Sequence, residues 1–120
     1  MSSGSELCIR VAVGIERDEG LDSPISPRFG RAPAIAVVDV CRDRVEIVSI
    51  KRNPFVDAIR GAGSGLVQML ASLGVKIVAA PRVGPHALEA LRALGIDLLT
   101  VSESAKLRDV IELVKRRLGV

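Results

Sequence analysis

Aromatic surface is nearly missing from this chain: there is no Trp, no Tyr, and only two Phe in 120 residues. Recognition by stacking on bases or sugar rings needs such faces, so that mode of recognition is lacking and no nucleic-acid partner is expected. Cysteine occurs twice, at positions 8 and 41, with no CxxC and no disulfide framework. The spacing places Cys8 at the start of a first strand and Cys41 in a hairpin turn. Two unrelated thiols are the expectation, with a bridge between them the alternative if the source is a hyperthermophile. Histidine occurs once (His86), and the amides are one Asn (Asn53) and one Gln (Gln68). Scarce amides beside many charges and short loops point to a thermophile. Long hydrophobic runs are also missing. The longest apolar stretch, Ala32 to Val40, is too short to span a bilayer, and Met1 to Glu6 lack the basic start and apolar stretch of a signal peptide. No membrane association and a cytoplasmic location are therefore expected.

What is present describes a folded α/β chain. Apolar residues make up 48% and charged residues 26%, which suits a globular core. The net charge of +3 is carried by 13 Arg and 4 Lys scattered among 14 acids, so the excess is not a contiguous basic footprint. The length fits one domain, placed at 7–120 behind a flexible N-terminus at 1–6.

Leu7 to Ile15 (LCIRVAVGI) reads as a strand buried on both faces. A long loop with Gly20, Pro24, Pro27 and Gly30 follows, then a strand at Ala34 to Val40 and an alternating strand at Val45 to Lys51. The polar connection Cys41-Arg42-Asp43-Arg44 makes these two an antiparallel hairpin. After a second irregular stretch, Leu66, Val67, Met69, Leu70 and Leu73 recur at helical spacing until Gly74 stops them. Val75 to Ala80 is a short buried strand, Pro85 to Leu94 a helix, and Ile96 to Val101 the last strand. The final helix has its apolar stripe at Leu107, Val110, Ile111, Val114 and Leu118, with Ser102 or Ser104 expected as its cap. The order is β-β-β-α-β-α-β-α, which implies a five-stranded mixed sheet covered by helices.

Four stretches carry a pattern: Ser26-Pro27-Arg28-Phe29-Gly30-Arg31-Ala32; Gly61-Ala62-Gly63; Leu73-Gly74-Val75; and Val83-Gly84-Pro85-His86-Ala87-Leu88 with Leu94-Gly95-Ile96. In this order and spacing they resemble the dinitrogenase iron–molybdenum cofactor-binding family over nearly the whole chain from Cys8. That family includes carrier and chaperone proteins of nitrogenase cofactor assembly and many small stand-alone proteins. The resemblance implies a ribonuclease H-like three-layer fold and a ligand such as an iron–sulfur or iron–molybdenum cluster. Where the family commonly has His before Phe-Gly, this chain has Arg28. A guanidinium there turns the expectation toward a small anionic ligand recognised by Arg28 and Arg31.

Topology sorts the candidate residues. With strand two running against the other four, one end of the sheet collects the loops holding Arg28, Gly30, Arg31, Gly61, Gly63, Ser64, Arg82 and His86, beside two helix N-termini. Arginines, open N–H groups and positive dipole ends suit an anion there. Each residue also has a plainer reading. The glycines can serve a tight turn onto the sheet, Gly84-Pro85 an ordinary helix start, His86 a solvated surface, and Arg28 and Arg31 ion pairs with Asp18, Asp22 or Asp57. Both cysteines fall at the other end of the sheet.

No catalytic residues are assigned. Strand one has no Asp or Glu between Leu7 and Ile15, so the converging carboxylates of a metal-dependent nuclease are lacking. GAGSG lacks the Lys of a phosphate-binding P-loop, and no Ser-His-Asp, HExxH or GxSxG set occurs. The expectation is a non-catalytic binding or carrier domain, monomeric or weakly dimeric. An interaction module for a protein partner, with a vestigial cleft, is the alternative.

Overall fold

A computed structural model describes residues 8–119. The arm expected at 1–6 lies outside the described residues. The strands are β1 (Cys8–Ile15), β2 (Ala34–Cys41), β3 (Val45–Arg52), β4 (Ile77–Ala80) and β5 (Asp97–Thr100). The helices are α1 (Ala62–Ser72), α2 (Pro85–Ala93) and α3 (Leu107–Leu118). This is the element order expected. The sheet order is β3-β2-β1-β4-β5, with β2 antiparallel to both neighbours and β1, β4 and β5 mutually parallel.

Strand alternation divides the core in two. Val11, Val13 and Ile15 of β1, Ala36, Val38 and Val40 of β2, and Ile77 and Ala79 of β4 pack under Leu107, Val110, Ile111 and Val114 of α3. The intervening Ala12, Ile35, Val37, Val78 and Ala80 face the other way, onto Leu66, Val67 and Leu70 of α1 and Leu91 of α2. Because side chains on a strand have a period of two, aliphatic runs without polar interruption must be covered on both faces. The result is three layers, with one helix on one face and two on the other.

Two details differ from the sequence reading. Cys41 is the last residue of β2, not a turn residue, and the antiparallel register sets it directly opposite Cys8. The two form a disulfide, so the expectation of unrelated thiols is corrected. Strand register decides this, and cysteine spacing carries no information about it. The cap of α3 is also different. Ser102 and Ser104 form a hydrogen-bonded turn ahead of the helix. The N-cap is Lys106, whose N–H donates to the Asp109 carboxylate at 2.9 Å. The N–H groups of Leu107 and Arg108 donate to the carbonyls of Ser23 and Leu21, both at 2.9 Å. The long loop after β1 thus closes the N-terminus of α3.

Candidate functional site

Small residues assemble the far rim of the sheet. At Gly14, near the carboxyl end of β1, an added methyl would lie 2.7 Å from the Cβ of Ala32. One at Gly30 would lie 3.0 Å from the Cα of Gly63, and one at Gly63 would lie 2.8 Å from the Cβ of Ala87. Separations under about 3 Å are not tolerated between carbon atoms. The turn carrying Arg28 and Arg31 can therefore lie on β1, α1 can crowd against that turn, and α2 can crowd against α1, only because these positions have no side chain. Gly61 adds the left-handed backbone (φ 72°) that starts α1.

The contact leaves a cleft of about 380 Å³ at the carboxyl ends of β1 and β4. All eight predicted residues line it: Arg28, Gly30, Arg31, Gly61, Gly63, Ser64, Arg82 and His86, with Phe29 and Pro85 in the same wall. No carboxylate is among the lining residues. Ser64, Gly61 and His86 also border an adjoining hollow with Arg60 and Glu89.

Both helices that reach the cleft are open at their N-termini. The N-caps of α1 and α2 are Gly61 and Gly84, neither helix has a side-chain cap, and neither has an acid in its first turn. Early N–H groups of a helix have no intrahelical acceptor, and they concentrate partial positive charge there. α3 contrasts with them, its first N–H groups being taken by Leu21, Ser23 and Asp109.

The expected alternative partners of the arginines are engaged elsewhere. Asp22 pairs with Arg108 at 2.8 Å, Asp57 with Arg52 at 3.0 Å, and Asp18 accepts from the Gly20 N–H. Arg28 has no ion pair or side-chain hydrogen bond among the described residues. Arg31 donates from Nη1 to the carbonyls of Val56 and Ala58. Among the described residues Arg82 has only Glu103, 3.9 Å away and largely solvated. Outside the cleft, hydrogen bonds from Arg10 and Arg108 hold the Asp39 and Asp22 carboxyls below their ordinary range.

One residue of this architecture was missed from the sequence. Asn53, fully buried after β3, donates to the carbonyls of Gly30 and Ala32, both at 3.0 Å, and accepts from the Phe55 N–H. It clips the arginine turn to the loop before α1. Its only sequence signal is that it is the sole Asn, set at a strand end before Pro54.

As donors to a metal the lining residues are poor. The thiols are bridged at the opposite end of β1 and β2, and no group of three His, Cys, Asp or Glu is close enough to hold an ion among the described residues. His86 alone offers a ring nitrogen. The set fits an anion, or a cluster of net negative charge held through its outer atoms, better than a bare cation.

Fold and cleft together define a small three-layer α/β domain with an arginine-lined, carboxylate-free pocket at its strand ends. The pattern of the dinitrogenase iron-molybdenum cofactor family matches residues 9–117, and the chain belongs to that family. It is 34% identical to the orange protein from Desulfovibrio gigas, solved in its apo form, with a TM-score of 0.75 over 92% of this chain and 87% of that one. A Thermotoga protein, TM1290, described as a candidate NifB protein, is 30% identical with a TM-score of 0.72 over 90% and 88% of the two chains. PH0822 is 29% identical with a TM-score of 0.74 over 91% and 92%. The uncharacterised protein MJ0580 of Methanocaldococcus jannaschii is 27% identical over 74 residues, 62% of this chain. The match spans about 63% of that relative's length. No helix of the described residues is long and apolar enough to cross a membrane.

Proposed function

We propose that this protein is a non-catalytic carrier that binds a small anion, or an anionic metal cluster as cargo, in the cleft between the Arg28–Arg31 turn and the N-termini of α1 and α2. One observation carries the reading: three arginines and two uncapped helix starts border one hollow that has no carboxylate in its wall. Without an anion the arginines repel one another, and a negative ligand removes that repulsion. Membership in a family named for the iron–molybdenum cofactor, and similarity to the orange protein, support a cluster as one form of the cargo. The five-stranded mixed sheet and three helices support the α/β class, and the ribonuclease H-like assignment is carried by the family resemblance alone. The reading is of a monomer or weak homodimer in the cytoplasm, with which the internal disulfide is compatible if the source is a hyperthermophile, since such organisms keep disulfides in intracellular proteins.

The test has two arms. Calorimetric titration with phosphate and molybdate should give binding that weakens with ionic strength. It should fall about tenfold in Arg28→Ala or Arg82→Ala, the loss of one charge-assisted contact. Anaerobic reconstitution with iron, sulfide and molybdate should leave metal on the desalted protein. Absence of binding in both arms rejects the reading. The interaction-module alternative has one observation in its favour, the 92% exposure of Ile59 beside the cleft. It requires co-purification with a protein partner that survives Arg28→Ala and is lost in Ile59→Asp.

A further inference from the structure

Arg31 borders the cleft but spends only part of its hydrogen-bonding capacity. Its Nη1 donates to the Val56 and Ala58 carbonyls, while Nε and Nη2 have no partner among the described residues. A guanidinium is planar and presents its donors on separate edges, so one edge can hold a loop while another meets an anion. The segment it holds is otherwise lightly fixed. Val56 and Ala58 are tied by single turn bonds, from the Val56 N–H to the Asn53 carbonyl at 3.3 Å and from the Ala58 N–H to the Phe55 carbonyl at 3.1 Å. Beyond Ala58 come Ile59, 92% exposed, and Arg60, which has no partner among the described residues. The loop then ends at Gly61, the N-cap of α1, whose first residues line the same cleft.

We propose that Arg31 is a positioning residue that couples occupancy of the cleft to the order of the 56–60 loop, so that the loop and its exposed Ile59 report whether cargo is aboard. The inference rests on the anion-binding reading and adds a regulatory consequence to it. An anion between the free edge of Arg31 and the start of α1 fixes the guanidinium. That strengthens its hold on both carbonyls, and the loop is then restrained at Arg31 and at Gly61 together. Both changes act in one direction. Filling the cleft makes the loop more ordered.

Amide hydrogen exchange at Val56 and Ala58, read by NMR on the full chain with and without saturating phosphate, tests this. Wild type should exchange roughly tenfold more slowly with phosphate bound, the size expected when a charge-assisted contact is reinforced. Arg31→Ala should exchange faster than wild type before any anion is added. Arg31→Lys keeps a charge but has one donor centre in place of a fork; it should bind phosphate more weakly and lose the protection even when saturated. Arg52→Ala removes the ion pair to Asp57 in the same loop, outside the cleft, and should keep the phosphate-dependent slowing. Unchanged exchange in wild type with phosphate shown to bind by calorimetry overturns the coupling and leaves the anion site standing. Slowing that persists in Arg31→Lys overturns the role of Arg31. Failure of phosphate and molybdate alike to bind in calorimetry overturns the coupling, which is argued for a small anion, and leaves the cluster form of the cargo to the reconstitution arm.

Discussion

Gly63 and Ala87 meet so closely that a methyl added to the glycine would sit 2.8 Å from the Cβ of Ala87. The contact joins the first turns of α1 and α2, and Gly63 also lines the cleft. Substituting Gly63→Ala sets two effects in opposition. Helix propensity favours alanine by up to about 1 kcal/mol, while overpacking a close contact costs about 1–3 kcal/mol. The clash should win because its neighbour is a short side chain on a helix, with no rotamer to yield. Denaturant unfolding should report a net loss of about 1–2 kcal/mol, and calorimetry a weaker anion affinity. The double variant with Ala87→Gly should recover affinity more fully than stability, since glycine within α2 has its own helix cost.

Asn53→Ala should be among the more damaging single changes. It strands the buried carbonyl of Ala32, and the part-buried carbonyl of Gly30 and N–H of Phe55, at once. Each buried polar group left unsatisfied costs about 1–3 kcal/mol, less where water enters. A loss of roughly 3 kcal/mol in chemical denaturation is expected, with anion binding weakened because the Arg28–Arg31 turn loses its clip. Stability within about 0.5 kcal/mol of wild type would contradict that role.

The disulfide should matter to stability and not to the site. Cys8 and Cys41 are separated by 33 positions in sequence. The chain-entropy relation for a loop of that size gives about 3–4 kcal/mol of stabilisation. Thiol titration of unreduced, denatured protein should find no free thiol. The double variant Cys8→Ser/Cys41→Ser should melt well below wild type yet bind phosphate with unaltered affinity. A changed affinity would mean the two ends of the sheet communicate.

Acid should weaken the fold partly through Asp39. Its carboxyl is held below the ordinary value of 3.8, first by the hydrogen bond from Arg10. A group with a depressed folded-state pKa favours the folded state when ionised. The contribution is therefore complete above its unfolded-state range, and it is lost as pH falls through the lowered folded value. The stability difference between wild type and Asp39→Asn, followed by thermal melts, should be flat above about pH 5 and shrink below about pH 4. A difference that grows on acidification would reverse the assignment.

The fold was legible because aliphatic runs, glycine stops and one polar hairpin connection each act locally. The arginine turn and the two glycine-led helix starts could be placed together because strand direction alone decides which end of a sheet a loop occupies. What escaped was contact made across the chain. Asn53 looks like any turn residue until the carbonyls of Gly30 and Ala32 are seen around it. The cap of α3 comes from a loop more than eighty residues upstream, so nearby serines misdirect the reading.

The sequence by itself determined which segments become strands and helices, which faces they bury, and that arginines and bare helix starts gather at one end of the sheet, since period and chain direction are local properties. Only the tertiary structure decided that Cys8 faces Cys41, that Arg31 holds a loop instead of an aspartate, and that three glycines admit close contacts between β1, the arginine turn and the two helices. Those depend on strand register and on approaches of a few ångströms between distant residues, which no spacing along the chain encodes.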